Sequence, residues 1–429
     1  MSKMNTEYAI ALSRHRDGFN REAALRYLQQ WPCAIALSLV LERMNDHVPE
    51  IRDLALQICW SYIDAGKVAD ILACTKQWMA LRQKTRLSHE RVLNAIADLL
   101  AEPQNRTDLL DAFHAGRGPA ARHLLAWVMG KEGNSKGLCE GLSHSDFTVR
   151  LCSLAAIPHT SVDAVLELVI SALRDESSAV QKQALILVMK SHADDEQKRI
   201  WLLPLLFSAS RGVREMTRWY LGQLSVDVRL QYRNALDQGV FTATKLESLL
   251  CEADRDGITE ALPLARLHVG HSRARIRKAA LQLLIKHAPA EQEVLLKLVW
   301  RDASLKLKRY FAEQIGTHIL VTAEAGYEMA MAAWQRDEDG LAWSLTRKLG
   351  LWRSVGLMLE LAQDGRKQAK ALDMLRCWDT PTGGLKYANP YEAEREFIRR
   401  LLGKPEVLAL VNTMPYLSRD LQHLKMWPE

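Results

Sequence analysis

The sequence predicts an all-α protein, built as a solenoid of about 12 to 13 helix-turn-helix units. Six segments share one pattern: a β-branched residue or Leu, then a basic or polar residue, with apolar or small residues three, four, seven and eight positions on. Their first pairs are Ile51-Arg52, Val149-Arg150, Val180-Gln181, Val213-Arg214, Ile276-Arg277 and Leu307-Lys308. These pairs are 98, 31, 33, 63 and 31 residues apart, close to multiples of about 32, which indicates one repeat along the chain.

Each segment has the periodicity of an amphipathic α-helix. In the repeat around Ile276, apolar residues at steps of three and four fall on one stripe of a helix. The residue four positions after the anchor is small in most copies, and a small side chain there lets a neighbouring helix approach closely. These residues are Ala55, Ser153, Ala184, Thr217 and Ala280. Phe311 breaks this rule in the last clear copy.

A second apolar helix precedes each segment, and a short polar turn with Asp or Ser joins the two. The clearest first helices cover 162–173, 197–207 and 291–300. The repeating unit is therefore helix, turn, helix. Pro204 and Pro263 fall inside predicted first helices, where a proline is expected to bend the element.

The turn and anchor Ser145-Asp146-Phe147-Thr148-Val149-Arg150 resembles the HEAT repeat family and its HEAT-like bacterial relatives. The resemblance covers about 45–60, 140–225 and 260–316. It implies a curved, right-handed superhelix whose second helices line the concave side, used mostly to hold proteins or nucleic acids. It also implies that the basic residue after each anchor pairs with a turn Asp. That gives Arg52, Arg150, Arg214, Arg277 and Lys308 a structural role.

The repeats change character near the C-terminus. We predict a HEAT-like array over 1–320 and atypical helical repeats over 321–429, which continue and cap the solenoid. Four tryptophans lie in the helices of this tail, and the stretch 379–391 has two Pro and two Gly and is predicted as a loop. A separate small domain is the alternative.

Composition indicates a folded, soluble protein. The chain has 429 residues, 48% hydrophobic and 25% charged, with a net charge of +6. No apolar run reaches the roughly 18 to 20 residues that span a bilayer, and the N-terminus lacks a signal-peptide core, so we expect no membrane partner and a cytoplasmic location. Seven cysteines are scattered without a CxxC spacing. We predict no metal site, no cofactor and no catalytic residue.

Charge placement is the best functional signal. Between Arg266 and Arg309 the chain has eleven Lys and Arg against three acidic residues. When the basic residues that directly follow the anchors are set aside, the remaining excess of positive charge lies at the positions that flank each anchor pair. We therefore predict a binding stripe of Arg275, Lys278, Lys306 and Arg309, whose members recur 31 residues apart.

The leading functional hypothesis is a non-catalytic scaffold or adaptor that binds a protein along the concave face. The resemblance extends to bacterial HEAT-like proteins, several of which act as adaptors or as immunity partners. The alternative is nucleic-acid binding through 266–309, including a role like that of the HEAT-like DNA glycosylases. No Trp/Asp pair here matches the motif of that enzyme family. A solvated basic face without a partner is the third reading. Trp300 and Tyr310 are predicted core residues that could alternatively stack on bases.

Overall fold

The computed structural model describes residues 6–129, 135–158, 162–381 and 389–427. The chain divides into two compact units, Met1–Val226 and Asp227–Glu429. The sequence predicts that the type of repeat changes after residue 320. The division into compact units does not test this, so it stays a prediction.

The first unit consists of α-helices joined by short turns. Its helices are α1 (Thr6–Ser13), α2 (Gly18–Gln30), α3 (Ala34–Arg43), α4 (Pro49–Asp64), α5 (Val68–Ala73), α6 (Thr75–Ala80), α7 (Glu90–Ala101), α8 (Arg106–Ala115), α9 (Pro119–Met129), α10 (Ser135–Ser143), α11 (Phe147–Ala155), α12 (Leu166–Ala172), α13 (Ser178–Lys190), α14 (Asp195–Leu202) and α15 (Arg211–Gln223).

The second unit is built in the same way. Its helices are α16 (Val228–Gln238), α17 (Ala243–Asp256), α18 (Leu262–His268), α19 (Ala274–His287), α20 (Gln292–Arg301), α21 (Leu305–Gln314), α22 (Ala323–Gln335), α23 (Asp339–Thr346), α24 (Leu351–Leu361), α25 (Gln368–Trp378), α26 (Glu392–Leu402), α27 (Pro405–Asn412) and α28 (Pro415–His423). In the part of the chain that the structure describes, β-structure is limited to an isolated bridge between Ile315 and Ile319.

The prediction of an all-α helical-repeat fold is confirmed, because each repeat packs on the next within its unit. Helix α11 packs on α13 and α13 packs on α15, while α17 packs on α19 in the second unit. The small residues predicted at the helix contacts are fully buried, including Ala184, Thr217 and Ala280. Phe311 is equally buried, at 1% exposure, so in that repeat a large aromatic ring takes the place of the small residue.

The two internal prolines do not bend helices as predicted. Pro204 lies in a 3-10 segment, Leu203–Phe207, that follows α14, and Pro263 lies in the first turn of α18. A proline has no N–H to donate, and the first turn of a helix needs none, so the chain places both where that loss costs little. The prolines therefore mark element boundaries.

In three repeats, an arginine near the start of the second helix forms an ion pair with the turn of the following repeat. Arg277 donates from Nε and Nη2 to both carboxylate oxygens of Asp302, at 2.6 and 2.8 Å. Arg150 makes the same pair with Asp175, and Arg21 with Asp46. The acid always lies 25 residues after the arginine, in the turn of the following repeat. The predicted structural role of Arg150 and Arg277 is confirmed.

The remaining nitrogen of the same arginines closes their own turn. Nη1 of Arg277 donates to the carbonyls of His271 and Ser272, at 2.8 and 3.0 Å. Arg52 and Arg214 donate in the same way to the carbonyls five and six residues before them. Lys308 lacks this planar fork and forms a single buried pair with Glu338 at 2.7 Å.

Hydrogen bonds from Arg277 keep the acid of this pair ionised. They lower the pKa of Asp302 although burial opposes them, and the Ser304 N–H and the charges of Arg277 and Lys308 contribute further. Burial alone would raise the pKa of Asp46, but hydrogen bonds from Arg21 and the Val48 N–H outweigh it. Both carboxylates are therefore charged in the folded protein over a wider pH range than in the unfolded chain.

The C-terminal helices bury two of their tryptophans. Trp334 and Trp352 are 1% and 2% exposed, and Trp343 packs edge-on against Trp334 at 4.9 Å. The Phe397 ring lies so close to Gly356 that a Cβ on Gly356 would be 2.2 Å from Phe397 Cε1. Of the predicted loop 379–391, residues 382–388 lie outside the described residues.

Candidate macromolecule-binding surface

The ion pairs of the second unit neutralise about half of the basic residues between 266 and 309. Five of the eleven have a carboxylate partner among the described residues. These pairs are Arg266 with Glu291, Arg277 with Asp302, Lys286 with Asp254, Lys297 with Glu293, and Lys308 with Glu338. The net charge counted from the sequence therefore overstates what this surface offers to a partner.

Lys278 is the stripe residue whose surroundings differ most from the prediction. Its Nζ lies 3.4 Å from the centroid of the Tyr310 ring, on the next second helix. Burial lowers the pKa of its ammonium group, while the nearby Cys251, Glu313 and Glu247 act in the opposite direction. The side chain is half-buried and serves the contact between α19 and α21.

Arg309 also lies across the neighbouring helix, although it remains exposed. Its guanidinium group packs against Gly340 of α23, where a Cβ would come within 2.8 Å of Nη2. Because Gly340 has no side chain, the arginine can lie flat there. A larger residue at 340 would push the charge towards solvent.

Arg275 and Lys306 are exposed, as predicted for a binding role. Each is the second residue of its helix, α19 and α21 respectively. The start of a helix carries partial positive charge, so a cation there is disfavoured by a few tenths of a kcal/mol, roughly 0.3–1 at most. Fold stability does not explain these two charges, and a nearby anion on a partner would relieve the repulsion.

Two further exposed cations adjoin the same turns. Arg273 occupies the N-cap position of α19 and makes no side-chain cap hydrogen bond, and Arg301 is the last residue of α20. Within the described residues, no carboxylate partner is found for the set Arg273, Arg275, Arg301, Lys306 and Arg309, here called the turn cluster. The sequence count included Arg273 and Arg301, but the choice of anchor-flanking positions passed over them. Their place beside the predicted turns was the signal that could have found them.

The two aromatic residues near this surface are half-buried. Tyr310 lies beneath the ammonium group of Lys278, and burial raises the pKa of its phenol. Trp300 Nε1 is buried without a hydrogen-bond partner among the described groups. The Lys278 ammonium group therefore takes a position over the Tyr310 ring that a stacked base would need.

No helix in the described ranges is both long and apolar enough to cross a membrane. Within those same ranges, no three His, Cys, Asp or Glu side chains are grouped closely enough to hold a metal ion.

Comparison with known proteins returned neither a matching family model nor a matching curated protein. Among solved structures, the chain is similar to one that describes how Kap95p binding induces the switch loops of RanGDP to adopt the GTP-bound conformation. The sequence identity is 14% and the TM-score is 0.37. The match covers 97% of this chain and 66% of that one. A Kap95:Nup1 complex matches at 13% identity and a TM-score of 0.30, covering 96% and 63%.

An engineered protein matches at 14% identity and a TM-score of 0.19, with 98% of each chain covered. This chain spans somewhat under two thirds of the length of the two Kap95 chains. The partners named for those structures are properties of those proteins.

Proposed function

We propose that the protein is a non-catalytic scaffold or adaptor, and that it binds an acidic surface of a protein partner through the turn cluster. The observation that carries this proposal is the presence of five exposed cations on neighbouring repeats, without carboxylate partners in the described structure. Two of them lie at helix starts, where they oppose the helix dipole. Charge complementarity of this kind sets partner choice and association rate.

The mixed charge of the adjoining face favours a protein over a nucleic acid. The carboxylates of Glu247 and Glu313 lie near Lys278, and the paired acids Glu291 and Glu293 lie at the N-terminal end of α20. A phosphate backbone that passed any of these carboxylates would be repelled. A folded protein can present acidic and basic groups in alternation, and so can match them.

Site-specific crosslinking tests the proposal. A photoreactive benzophenone side chain replaces Arg275 or Lys306, and the matched control replaces Arg174, an exposed turn residue of the first unit. We expect a protein adduct from positions 275 and 306, identified by mass spectrometry, and none from position 174. The purified partner should then bind the Arg275→Glu/Lys306→Glu variant about tenfold or more weakly, because two charge contacts are reversed. Equal crosslinking from all three positions would count against the proposal.

Nucleic-acid binding is the second candidate, and the five unpaired cations are the observation that favours it. A salt titration of duplex DNA binding by fluorescence anisotropy separates the two. If the turn cluster bound phosphates, the slope of log affinity against log salt would be about −4 to −5, since each neutralised phosphate contributes about −0.9. The double variant would lower that slope by about 2. We expect weak binding and a shallow slope.

A further inference from the structure

A groove of about 810 Å³ lies in the second unit, beside the turn that follows α16. Its walls come from the C-terminal half of α16, the turn before α17, the start of α17, and α18. Its larger apolar side chains are Leu236, Phe241, Leu246, Pro263, Leu264 and Leu267. The volume falls within the roughly 300–1,000 Å³ of ligand-binding clefts. The groove is therefore large enough to take an apolar side chain of a partner.

The turn between α16 and α17 departs from the pattern of the other repeats. Gly239 lies 25 residues after Arg214, where three other repeats place the acid that pairs with an arginine. Gly239 has a φ of +68° and ends α16, and the next residue, Val240, is 79% exposed. Leu267, on the opposite wall of the groove, is also 79% exposed. Isolated exposed apolar residues need no explanation, but two beside one apolar groove indicate an interaction surface.

The charged side chains of the groove limit what can enter it. Arg233 of α16 pairs with Glu260, which lies just before α18, at 2.9 Å, so these two charges largely neutralise each other. The lining also contains Asp237, whose side chain is exposed. Asp237 would repel an acidic group of a partner. Such groups must therefore lie outside the groove, while an apolar group can enter it.

The groove adjoins the turn cluster at His271. This residue lines the groove, and its Nδ1 accepts from the backbone N–H of Arg273, the first residue of the turn cluster, at 3.0 Å. Arg275, the next member of the cluster, follows two residues later and is exposed. An apolar groove and a cationic surface therefore lie side by side in the second unit.

We propose that the protein partner inserts an apolar side chain into this groove and places its acidic side chains over the turn cluster. This inference rests on the proposed function and names the class of partner: a protein segment in which leucine or an aromatic residue lies next to acidic residues. The apolar side chain would supply most of the affinity, because anchors that fill pockets dominate interface energies. The acidic side chains would set the orientation of the segment and its rate of association.

Fluorescence anisotropy with three labelled peptides tests this inference on the full-length protein. The first peptide has four glutamates followed by two leucines. The second has serines in place of the leucines, and the third has glutamines in place of the glutamates. We expect the first peptide to bind about tenfold or more tightly than either of the others, because each of those lacks one of the two contacts. Absence of binding by the first peptide, or equal binding of the first two, would overturn the inference.

Substitution of an exposed leucine locates the apolar contact. Leu267→Ser changes a side chain on the surface, so the protein should fold normally. It should reduce the preference for the leucine peptide over the serine peptide by about threefold or more, because part of the apolar wall is lost. Leu298→Ser is the matched control, since Leu298 is an exposed leucine of α20 outside the groove lining. A preference that is unchanged in Leu267→Ser would refute this site.

A charge variant separates this inference from the proposed function. Arg275→Glu/Lys306→Glu should weaken binding of the first and second peptides alike, by about tenfold or more, and leave the ratio of their affinities unchanged. If the two cations matter but leucine does not, the groove is refuted and the turn cluster stands. Leucine-dependent binding that the charge variant does not weaken would instead refute the turn cluster.

Discussion

Helices α11 and α19 carry the same arginine in the same position, yet their surfaces differ. Arg150 and Arg277 each donate to an Asp 25 residues later and to the carbonyls of their own turn. At the N-cap, α11 has Asp146, whose carboxylate accepts from the Thr148 N–H at 2.9 Å. At the equivalent position, α19 has Arg273, which makes no cap hydrogen bond.

The difference continues two residues further along each helix. Where α11 has Thr148, hydrogen-bonded to Asp146, α19 has the exposed Arg275. Local stability favours the arrangement in α11, because an N-cap acid satisfies helix donors and complements the dipole. The repeat of α19 thus retains the buried arginine pair, but its helix begins without the stabilising N-cap that α11 has. Residues that cost stability on the surface are the ones to examine for binding.

The largest effect should come from breaking the shared arginine. Arg277→Glu would place a carboxylate beside Asp302, in a pair whose side chains are only 16% and 8% exposed. Loss of one partner of a buried pair costs about 3–5 kcal/mol. We expect a loss of about 3 kcal/mol or more in urea unfolding, and a similar loss for Arg150→Glu. Near-wild-type stability of either variant would show that the arginine is not part of the fold.

Exchanging the N-caps should move stability in opposite directions. Arg273→Asp would supply the missing cap of α19, and we expect a gain of about 0.5–2 kcal/mol, together with weaker binding of the proposed partner. Asp146→Arg should lose a similar amount in α11. Thermal and urea unfolding measure both. A destabilised Arg273→Asp variant would contradict the view that α19 trades stability for surface charge.

Acid titration should separate the two helix starts through Asp146. Hydrogen bonds from the Thr148 side chain, the Gly118 N–H and the Thr148 N–H lower the pKa of Asp146 to about 2, from an ordinary value of 3.8. The group therefore stabilises the fold above about pH 3.8, and this contribution is lost as the pH falls towards 2. We expect the urea midpoint of the wild type to fall over this range, and to fall less in Asp146→Asn. Asp108→Asn, at an exposed site, should follow the wild type.

The smallest effect on stability should come from the outer cations. Arg275→Glu and Lys306→Glu should each change the free energy of unfolding by no more than about 0.5 kcal/mol, since both side chains are exposed. Lys278→Glu should cost more, because it removes the ammonium group from the face of Tyr310. The full stripe variant, which also reverses Arg309, should therefore lose stability mainly through Lys278. Equal melting temperatures for all single variants would show that Lys278 is as free as its neighbours.

Much of the fold followed from local pattern. The steps of three and four residues predicted the buried face of α19, and turn residues such as Asp302 predicted where helices begin. The four stripe residues were harder, because exposure depends on the neighbouring repeat. Arg275 and Lys306 lie open, whereas Lys278 reaches Tyr310, 32 residues away, and Arg309 reaches Gly340, 31 residues away. Such contacts depend on how far a side chain reaches and on how far apart the neighbouring helices lie. The residue pattern of a single helix does not give the distance to its neighbour.

The sequence by itself determined that the chain forms helices and which stripe of each helix is buried, because these properties depend on residue type and on a period that any single helix shows. The structural role of Arg150 and Arg277 was implied by the resemblance to HEAT repeats. Only the tertiary structure decided that each arginine pairs with the turn of the next repeat, that five cations keep their charge in solvent, and that Leu267 and His271 line one groove. These properties arise where helices from different parts of the chain meet. The distances and dielectric surroundings there are set by packing, because a charge is free or neutralised according to what lies beside it in space.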